Sequence, residues 1–193
     1  MTEANTKIQL KGSALREHRA RIAERLLQHA DALHAVVEWT DLDRLPDWCA
    51  LTDNQLQDLI TKCGVVAYAK PMEKIIDGRV LRDYFSLAGS SINNNPDTEG
   101  FDNLPVPEVD NLKHCIDSAG VAILLSAAGD SPCLAALASS MPCQPLTELE
   151  LSQDRSLKFL EKITQTKTED SKDTDEKNPA KADRSSPGAE EAA

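Results

Sequence analysis

The sequence predicts an all-α protein, folded as a compact irregular bundle of six or seven helices. Three observations favour this fold. Apolar residues recur every three or four positions along most of the chain, helix-start signals precede several of these stretches, and no stretch alternates strongly for more than a few residues, as a strand would. Because 40% of the 193 residues are hydrophobic but only 4% are aromatic, leucine, isoleucine, valine and alanine are expected to fill the core.

The first two helices are predicted from an apolar stripe and from a capping signal. The first is expected from about Ala14 to Val37, and the residues of its stripe share one face: Leu15, Ile22, Leu26, Ala30, Leu33 and Val37. The second is predicted to begin after Thr52, because Thr52 and Gln55 have the spacing of a capping box. It is expected to end at Pro71, since a proline disfavours helical angles in the residue before it.

The middle of the chain predicts two shorter helices and a long loop. Pro71 can open a helix, because its missing N–H costs nothing in a first turn. Asp77 and Gly78 indicate a break, with Asp77 capping a helix that continues through Leu87. The segment Ala88–Pro107 is rich in proline, asparagine and glycine. A connection of that length is expected to be either mobile or a contact surface.

The C-terminal half predicts three more helices. The first spans about Glu108–Ala128 and stops at Gly129; its second half is apolar nearly all round, which is typical of the central helix of a bundle. A short helix is expected to begin at Ser131 and Pro132, which fit the preferences of an N-cap and a first helical residue. The last helix is predicted over about Glu148–Thr164.

The chain divides into a flexible N-terminus (1–12), a helical domain (13–165) and a polar tail (166–193). The tail contains no valine, isoleucine, leucine, methionine, cysteine or aromatic residue. Such a segment buries too little apolar surface to offset the entropy lost on ordering, so it is predicted to be an acidic disordered tail.

Charge and hydropathy argue against several functional classes. The formal net charge of -11 repels nucleic acid and anionic lipid surfaces. The longest apolar stretch, Ala119–Ala128, is too short to span a bilayer, and the first residues show no secretory signal. The five cysteines contain no CxxC pair and are expected to be reduced, buried thiols.

No catalytic or metal-binding motif is present in the sequence. HExxH, GxSxG, GxxxxGK[ST] and GxGxxG are all missing, and the four histidines have no spacing that would bring two onto one ion. No cofactor or metal ion is therefore expected. A nucleophilic pair such as Cys63 with His114 stays possible, because such partners meet in space rather than in sequence.

The segment Leu42–Gly89 resembles the SctK family of type III secretion systems, the YscK, OrgA and MxiK group. The shared features are a Leu-Pro-x-Trp segment at Leu45–Trp48, a leucine-rich helix after it, and the stretch Ile76–Arg82. Further along, Ala119–Ala128 resembles the small-residue helix of that family.

This resemblance implies an all-helical cytoplasmic adaptor without enzymatic activity, within the sorting platform of an injectisome. Such a protein lies peripheral to the inner membrane through the secretion apparatus. The implied partners are the cytoplasmic domain of an SctD-like inner-membrane ring protein and an SctQ-like pod protein that carries the ATPase complex. No contact with nucleic acid and no membrane insertion are implied.

An adaptor needs two separated surfaces, and scarce aromatic and arginine side chains are the natural anchors. The expected contact residues are on the first helix and on the segment from Arg79 onward with the loop after it: Arg16, Arg21, Arg25, Arg79, Arg82, Tyr84, Phe85 and Phe101. Trp39 and Trp48 are further aromatic candidates. Each aromatic could instead fill the core, and Phe101, in the loop, is expected to be the least suited to do so.

Two other functions stay open. A type III secretion chaperone for an exported protein is also small and acidic, although that class mixes strands with helices. A small helical enzyme would need a polar cluster inside the core, and the predicted apolar stripes contain none.

Overall fold

The computed structural model describes residues 12–74, 78–89, 101, 104–147 and 149–169, and every regular element among them is helical. The all-α prediction is therefore confirmed. The α-helices are α1 (Ser13–Leu27), α2 (Trp39–Leu42), α3 (Asp53–Ala67), α4 (Ala69–Met72), α5 (Gly78–Ala88), α6 (Leu112–Ala128), α7 (Leu134–Ser139) and α8 (Gln153–Glu169). Short 3-10 turns cover Ala30–Ala32, Asp47–Ala50 and Val109–Asn111.

Helix α1 is shorter than the sequence predicts, and the expectation of one helix to Val37 is wrong. The chain leaves helical angles at His29, where φ is -126° and ψ is 36°. Leu33 and Val37 still pack against the core, but from irregular chain. These apolar residues do reach the core, as their spacing predicts, but a turn and an extended segment bring them there instead of further helical turns.

The start of α3 confirms the predicted capping box. The Thr52 hydroxyl accepts the Gln55 backbone N–H at 3.4 Å, and the Gln55 side-chain oxygen accepts the Thr52 backbone N–H at 3.1 Å. Pro71, however, lies inside α4 rather than opening a helix. A proline is tolerated there because the first N–H groups of a helix have no partner within the helix. Asp77, the predicted cap of the next helix, lies outside the described residues.

Helices α3 and α6 cross at the centre of the fold in direct backbone contact. A Cβ atom placed on Gly64 of α3 would lie 1.9 Å from the carbonyl oxygen of Ile116, and one on Gly120 of α6 would lie 2.0 Å from that of Ile60. Two glycines therefore permit an approach that no other residue allows. Helix α6 is buried on nearly every side from Ile116 to Leu124, as predicted for a central helix.

The predicted 88–107 loop returns to the core at its described C-terminal end. Phe101, Leu104 and Pro107 are buried, and the Phe101 ring lies 5.3 Å from that of Phe159 in α8, centroid to centroid. Phe101 is 2% exposed. The expectation that this aromatic suits the core least is therefore wrong.

The C-terminal helices are placed by side chains that satisfy backbone groups. Helix α6 ends at Ala128 and is followed by Gly129, whose φ of 61° favours glycine, as predicted. The Ser126 hydroxyl donates to the Leu151 carbonyl at 2.8 Å, and the Gln153 amide donates to the Ala127 carbonyl at 3.3 Å. Helix α8 begins at Gln153 and reaches Glu169, so it starts later than predicted and includes residues 166–169 of the predicted tail; residues 170–193 lie outside the described residues.

Within the described ranges, no helix combines the length and the apolar character that crossing a bilayer requires.

Candidate docking surface

The basic residues of α1 divide into exposed groups and structural braces. Arg16 and Arg21 are exposed, and Arg21 pairs with Glu17 one turn earlier at 2.6 Å. Arg19 makes two hydrogen bonds to Asp43, at 2.8 and 2.7 Å, and so joins α1 to the residue after α2. This bidentate geometry is the strong form of an arginine–carboxylate contact. Burial of Arg19 is too slight for the pair to add much stability, but it fixes the position of Asp43.

Arg25, predicted as a partner contact, is buried instead. Its guanidinium donates to the Leu51 carbonyl at 2.6 Å and to the Asp53 carboxylate at 3.1 Å. These bonds join α1 to the chain at the start of α3. The side chain is only 10% exposed, so it braces the fold and presents little surface to a partner.

Three large apolar side chains are exposed between the end of α1 and α2. Leu27 is 71%, Val36 89% and Trp39 65% exposed. The other tryptophan, Trp48, is buried at 4%. Single exposed apolar residues are ordinary on protein surfaces, but a tryptophan and a valine three positions apart form a concentrated apolar feature.

Trp39 is held in a defined position. It begins α2, where the Glu38 backbone N–H donates to the Asp41 carboxylate at 2.9 Å, and its carbonyl accepts the Asp43 backbone N–H at 3.2 Å. Leu42, in the same short helix, is buried in the core. The indole therefore belongs to a turn that is held at Leu42 by apolar contact with the core and at Asp43 by the hydrogen bonds from Arg19.

The chain around Trp39 is acidic. Residues 28–44 carry four carboxylates, Asp31, Glu38, Asp41 and Asp43, against one guanidinium, Arg44. Asp31 and Glu38 are exposed, and no ion pair within the described part of the chain involves either of them. We call Asp31, Val36, Glu38 and Trp39 the Trp39 surface.

Helix α5 carries the second predicted contact region. Arg79 and Arg82 are exposed, and Tyr84 and Phe85 are half-buried with part of each ring against the core. Leu87 is 59% exposed at the end of the same helix. The helix thus presents arginine and aromatic side chains along one stretch, although its aromatic rings are shared with the interior.

A buried polar cluster joins α3 and α6, and the sequence analysis missed it. Asp117 is 7% exposed; it accepts a hydrogen bond from the Thr61 hydroxyl at 3.0 Å and one from the Lys113 ammonium. Gln57 in turn donates to Thr61 at 3.3 Å. The carboxylate bond raises the pKa of Lys113. Because the carboxylate of Asp117 is fully engaged by its own neighbours, the cluster acts as a polar clasp between two helices. The sequence signal for this cluster was Asp117, an acidic residue inside a helix that is otherwise largely apolar.

Four of the cysteine thiols are held in their neutral form. Burial raises the pKa of Cys63 to about 12 and also raises the pKa of Cys49, Cys133 and Cys143. Neutral thiols are poor nucleophiles. Cys63 is buried whereas His114 is exposed. Among the residues that the structure describes, no three side chains of histidine, cysteine, aspartate or glutamate converge as metal ligands would.

Comparisons with protein-family models, with curated proteins and with solved structures found no match for this chain.

Proposed function

We propose that this protein is a non-enzymatic cytoplasmic adaptor of a type III secretion sorting platform. In this role it links the inner-membrane ring protein to the pod protein and its ATPase complex. The observation that carries the proposal of a binding role is the exposed, positioned indole of Trp39. The particular system comes from the resemblance of Leu42–Gly89 to the SctK family.

A fixed, exposed tryptophan favours binding for two physical reasons. Tryptophan is enriched among the few residues that supply most of the energy of protein interfaces. Binding also costs less when the contact residue is already held in place. Trp39 is 65% exposed, and hydrogen bonds to Asp41 and from Asp43 fix the backbone turn that carries it, so part of the ordering cost is already met.

A linking protein also needs a second surface. Helix α5 is our candidate, because Arg79, Arg82 and Leu87 are exposed on it and arginine and aromatic residues are common interface anchors. Leu87 adds exposed apolar area at the end of the same helix. The Trp39 surface would then bind one partner and α5 the other.

Simultaneous binding is the property that separates an adaptor from other small binding proteins. The test is sedimentation velocity on the full chain mixed with the cytoplasmic domain of the ring protein and with the pod protein of the same secretion system. The expected result is a ternary species that forms only when the chain is present, and a mixture of the ring domain and the pod protein without the chain is the control.

The proposal is overturned if the chain binds neither protein. It is also overturned, in favour of a chaperone, if the tagged chain purified from secreting cells carries an exported protein and neither platform component. Leu27→Ala and Leu87→Ala variants, which change one exposed leucine each near the two regions, test whether the partners use separate surfaces: each is expected to weaken one partner only.

A further inference from the structure

We infer that the Trp39 surface binds a basic segment of a partner protein, one with an aliphatic anchor flanked by lysine or arginine. This inference rests on the proposed function, because it specifies the chemistry of one partner of the adaptor. It is carried by exposed apolar side chains and by exposed carboxylates without an ion pair, all of which lie between residues 31 and 39.

The apolar part of this surface is small and consists of two side chains three positions apart. Val36 and Trp39 are 89% and 65% exposed, and three residues of chain span at most about 11 Å. One or two aliphatic side chains of a partner are enough to cover an area of that length. Trp39 supplies the large, rigid face against which such an anchor would pack.

The acidic part selects the sign of the partner. Glu38 lies between Val36 and Trp39, and Asp31 lies in the preceding 3-10 turn. Both are exposed and form no ion pair in the described part of the chain, and Glu38 accepts only a long hydrogen bond from the Thr40 hydroxyl, at 3.5 Å, outside its own capping box. An extended basic segment that runs along residues 31–39 would pass both carboxylates, and complementary charge of this kind sets partner choice and the rate of association.

A second copy of this chain fits the surface poorly. A symmetric dimer would place the same surface against itself, so Glu38 and Asp31 of one copy would approach those of the other. The net charge of -11 adds repulsion between copies. A basic partner removes both costs.

The two tryptophans provide a direct assay on the unmodified full chain. Trp39 is exposed and Trp48 is buried, so a ligand that covers Trp39 shifts the emission to shorter wavelength while Trp48 stays in its apolar surroundings. The probe is a synthetic 12-residue peptide with two central leucines flanked by lysines. Its comparison is the same peptide with glutamate in place of each lysine.

The lysine peptide is expected to shift the emission to the blue, and its affinity to fall as salt rises from about 50 to 500 mM. The glutamate peptide is expected to have no effect. Trp39→Ala removes the reporting indole, so its binding is followed by the anisotropy of a fluorescein-labelled lysine peptide, which is also measured with the original chain. It is expected to bind this peptide at least about 30-fold more weakly, the size of a hot-spot loss. Val109→Ala, which shortens another exposed apolar residue, is its control and is expected to bind normally.

Charge variants separate the local carboxylates from the net charge of the protein. The double variant Asp31→Asn with Glu38→Gln is expected to weaken the lysine peptide at least about three-fold. Asp58→Asn with Asp130→Asn removes the same charge from two other exposed positions and is expected to leave binding unchanged. Equal losses in both double variants would overturn the inference, as would equal binding of the two peptides.

The remaining outcomes distinguish this inference from the proposed function. If the ring and pod proteins bind Trp39→Ala and the double variant Asp31→Asn with Glu38→Gln as tightly as the original chain, the inference is wrong and the adaptor function stands. If neither protein binds but the lysine peptide shows the expected pattern, the adaptor function is wrong and the surface is still one for basic segments. Self-association that shifts the Trp39 emission in the absence of peptide would overturn the inference.

Discussion

Replacing Gly64 with alanine tests the close crossing of α3 and α6. The added methyl would lie 1.9 Å from the Ile116 carbonyl oxygen, and side-chain Cβ atoms essentially never come closer than 3.0 Å to another heavy atom. The two helices must therefore move apart by about 1.1 Å. Because the contact is with backbone rather than with a flexible side chain, no local rotation can relieve it.

Two opposing terms set the sign of the change in stability that Gly64→Ala causes. Alanine stabilises a helix interior by about 0.5–1 kcal/mol relative to glycine, whereas overpacking that forces the backbone to shift costs about 1–3 kcal/mol, and occasionally more. Because the clash at Gly64 is with backbone, we place the cost in the upper half of that range and expect a net loss of about 1–2.5 kcal/mol in the free energy of unfolding. For a chain of this size that corresponds to a fall in Tm of about 2–10 °C.

Thermal and urea unfolding followed by far-UV circular dichroism measure this change. Gly78→Ala is the matched control, because a Cβ there meets nothing within 4 Å; it is expected to leave stability unchanged or slightly raised. If Gly64→Ala is as stable as the original chain, the backbone contact at the centre of the fold is refuted.

Three further predictions concern buried polar and thiol groups, and urea titrations check each of them. Arg25→Ala is expected to lower the free energy of unfolding by about 1.5–3 kcal/mol, because a charged hydrogen-bond donor is lost from the interior. Asp53→Asn should cost less than about 0.5 kcal/mol, because that carboxylate is 99% exposed. Equal losses would contradict the role of Arg25 as a structural brace between α1 and α3. Asp117→Ala is expected to lower the free energy of unfolding by about 1–3 kcal/mol. Lys113→Ala is expected to lower it by at most about 1 kcal/mol, since that lysine is 68% exposed. A larger loss for the lysine variant would contradict a buried polar link that depends on Asp117. Burial raises the pKa of the Cys63 thiol from 9.0 to about 12. As the pH rises the unfolded chain therefore loses this proton before the folded chain does, and the free energy of unfolding should fall between about pH 9 and 12. A Cys63→Ala variant should show a shallower fall, and an identical slope would contradict the burial of this thiol.

Local signals in the sequence were enough to predict the elements that depend on local chemistry. The start of α3 follows from the side chains of Thr52 and Gln55, which act within one turn. The end of α6 follows from Gly129, the residue type that a positive φ favours. The all-α class follows from the repeated apolar spacing, because that spacing is a property of the chain itself.

Features that depend on the whole fold could not be predicted in this way. The apolar spacing through Leu33 and Val37 does not reveal that the chain leaves the helix at His29, since a turn and an extended segment bury the same residues. The pairing of Gly64 with Gly120 becomes visible only when the two helices are placed together.

The candidate contact residues show the same limit. Sequence reasoning did not distinguish Trp39 from Trp48 and expected Phe101 to suit the core least, yet Trp39 is 65% exposed while Trp48 and Phe101 are buried. Arg25 lies one turn after Arg21 on the same helix, and Arg25 is buried because it bonds to the residues at the start of α3. Exposure is set by which element covers a residue, and the sequence pattern does not contain that information.

Hydrogen exchange measured by mass spectrometry tests most directly whether the outside of this helical body binds the partners. The full chain would be compared alone and in complex with the ring domain and the pod protein. We predict slower exchange in residues 28–44 and in α5, with α3 and α6 unchanged at their crossing. Unchanged exchange in both of those outer regions, or altered exchange confined to the interior at the crossing of α3 and α6, would contradict an adaptor that works through its surface.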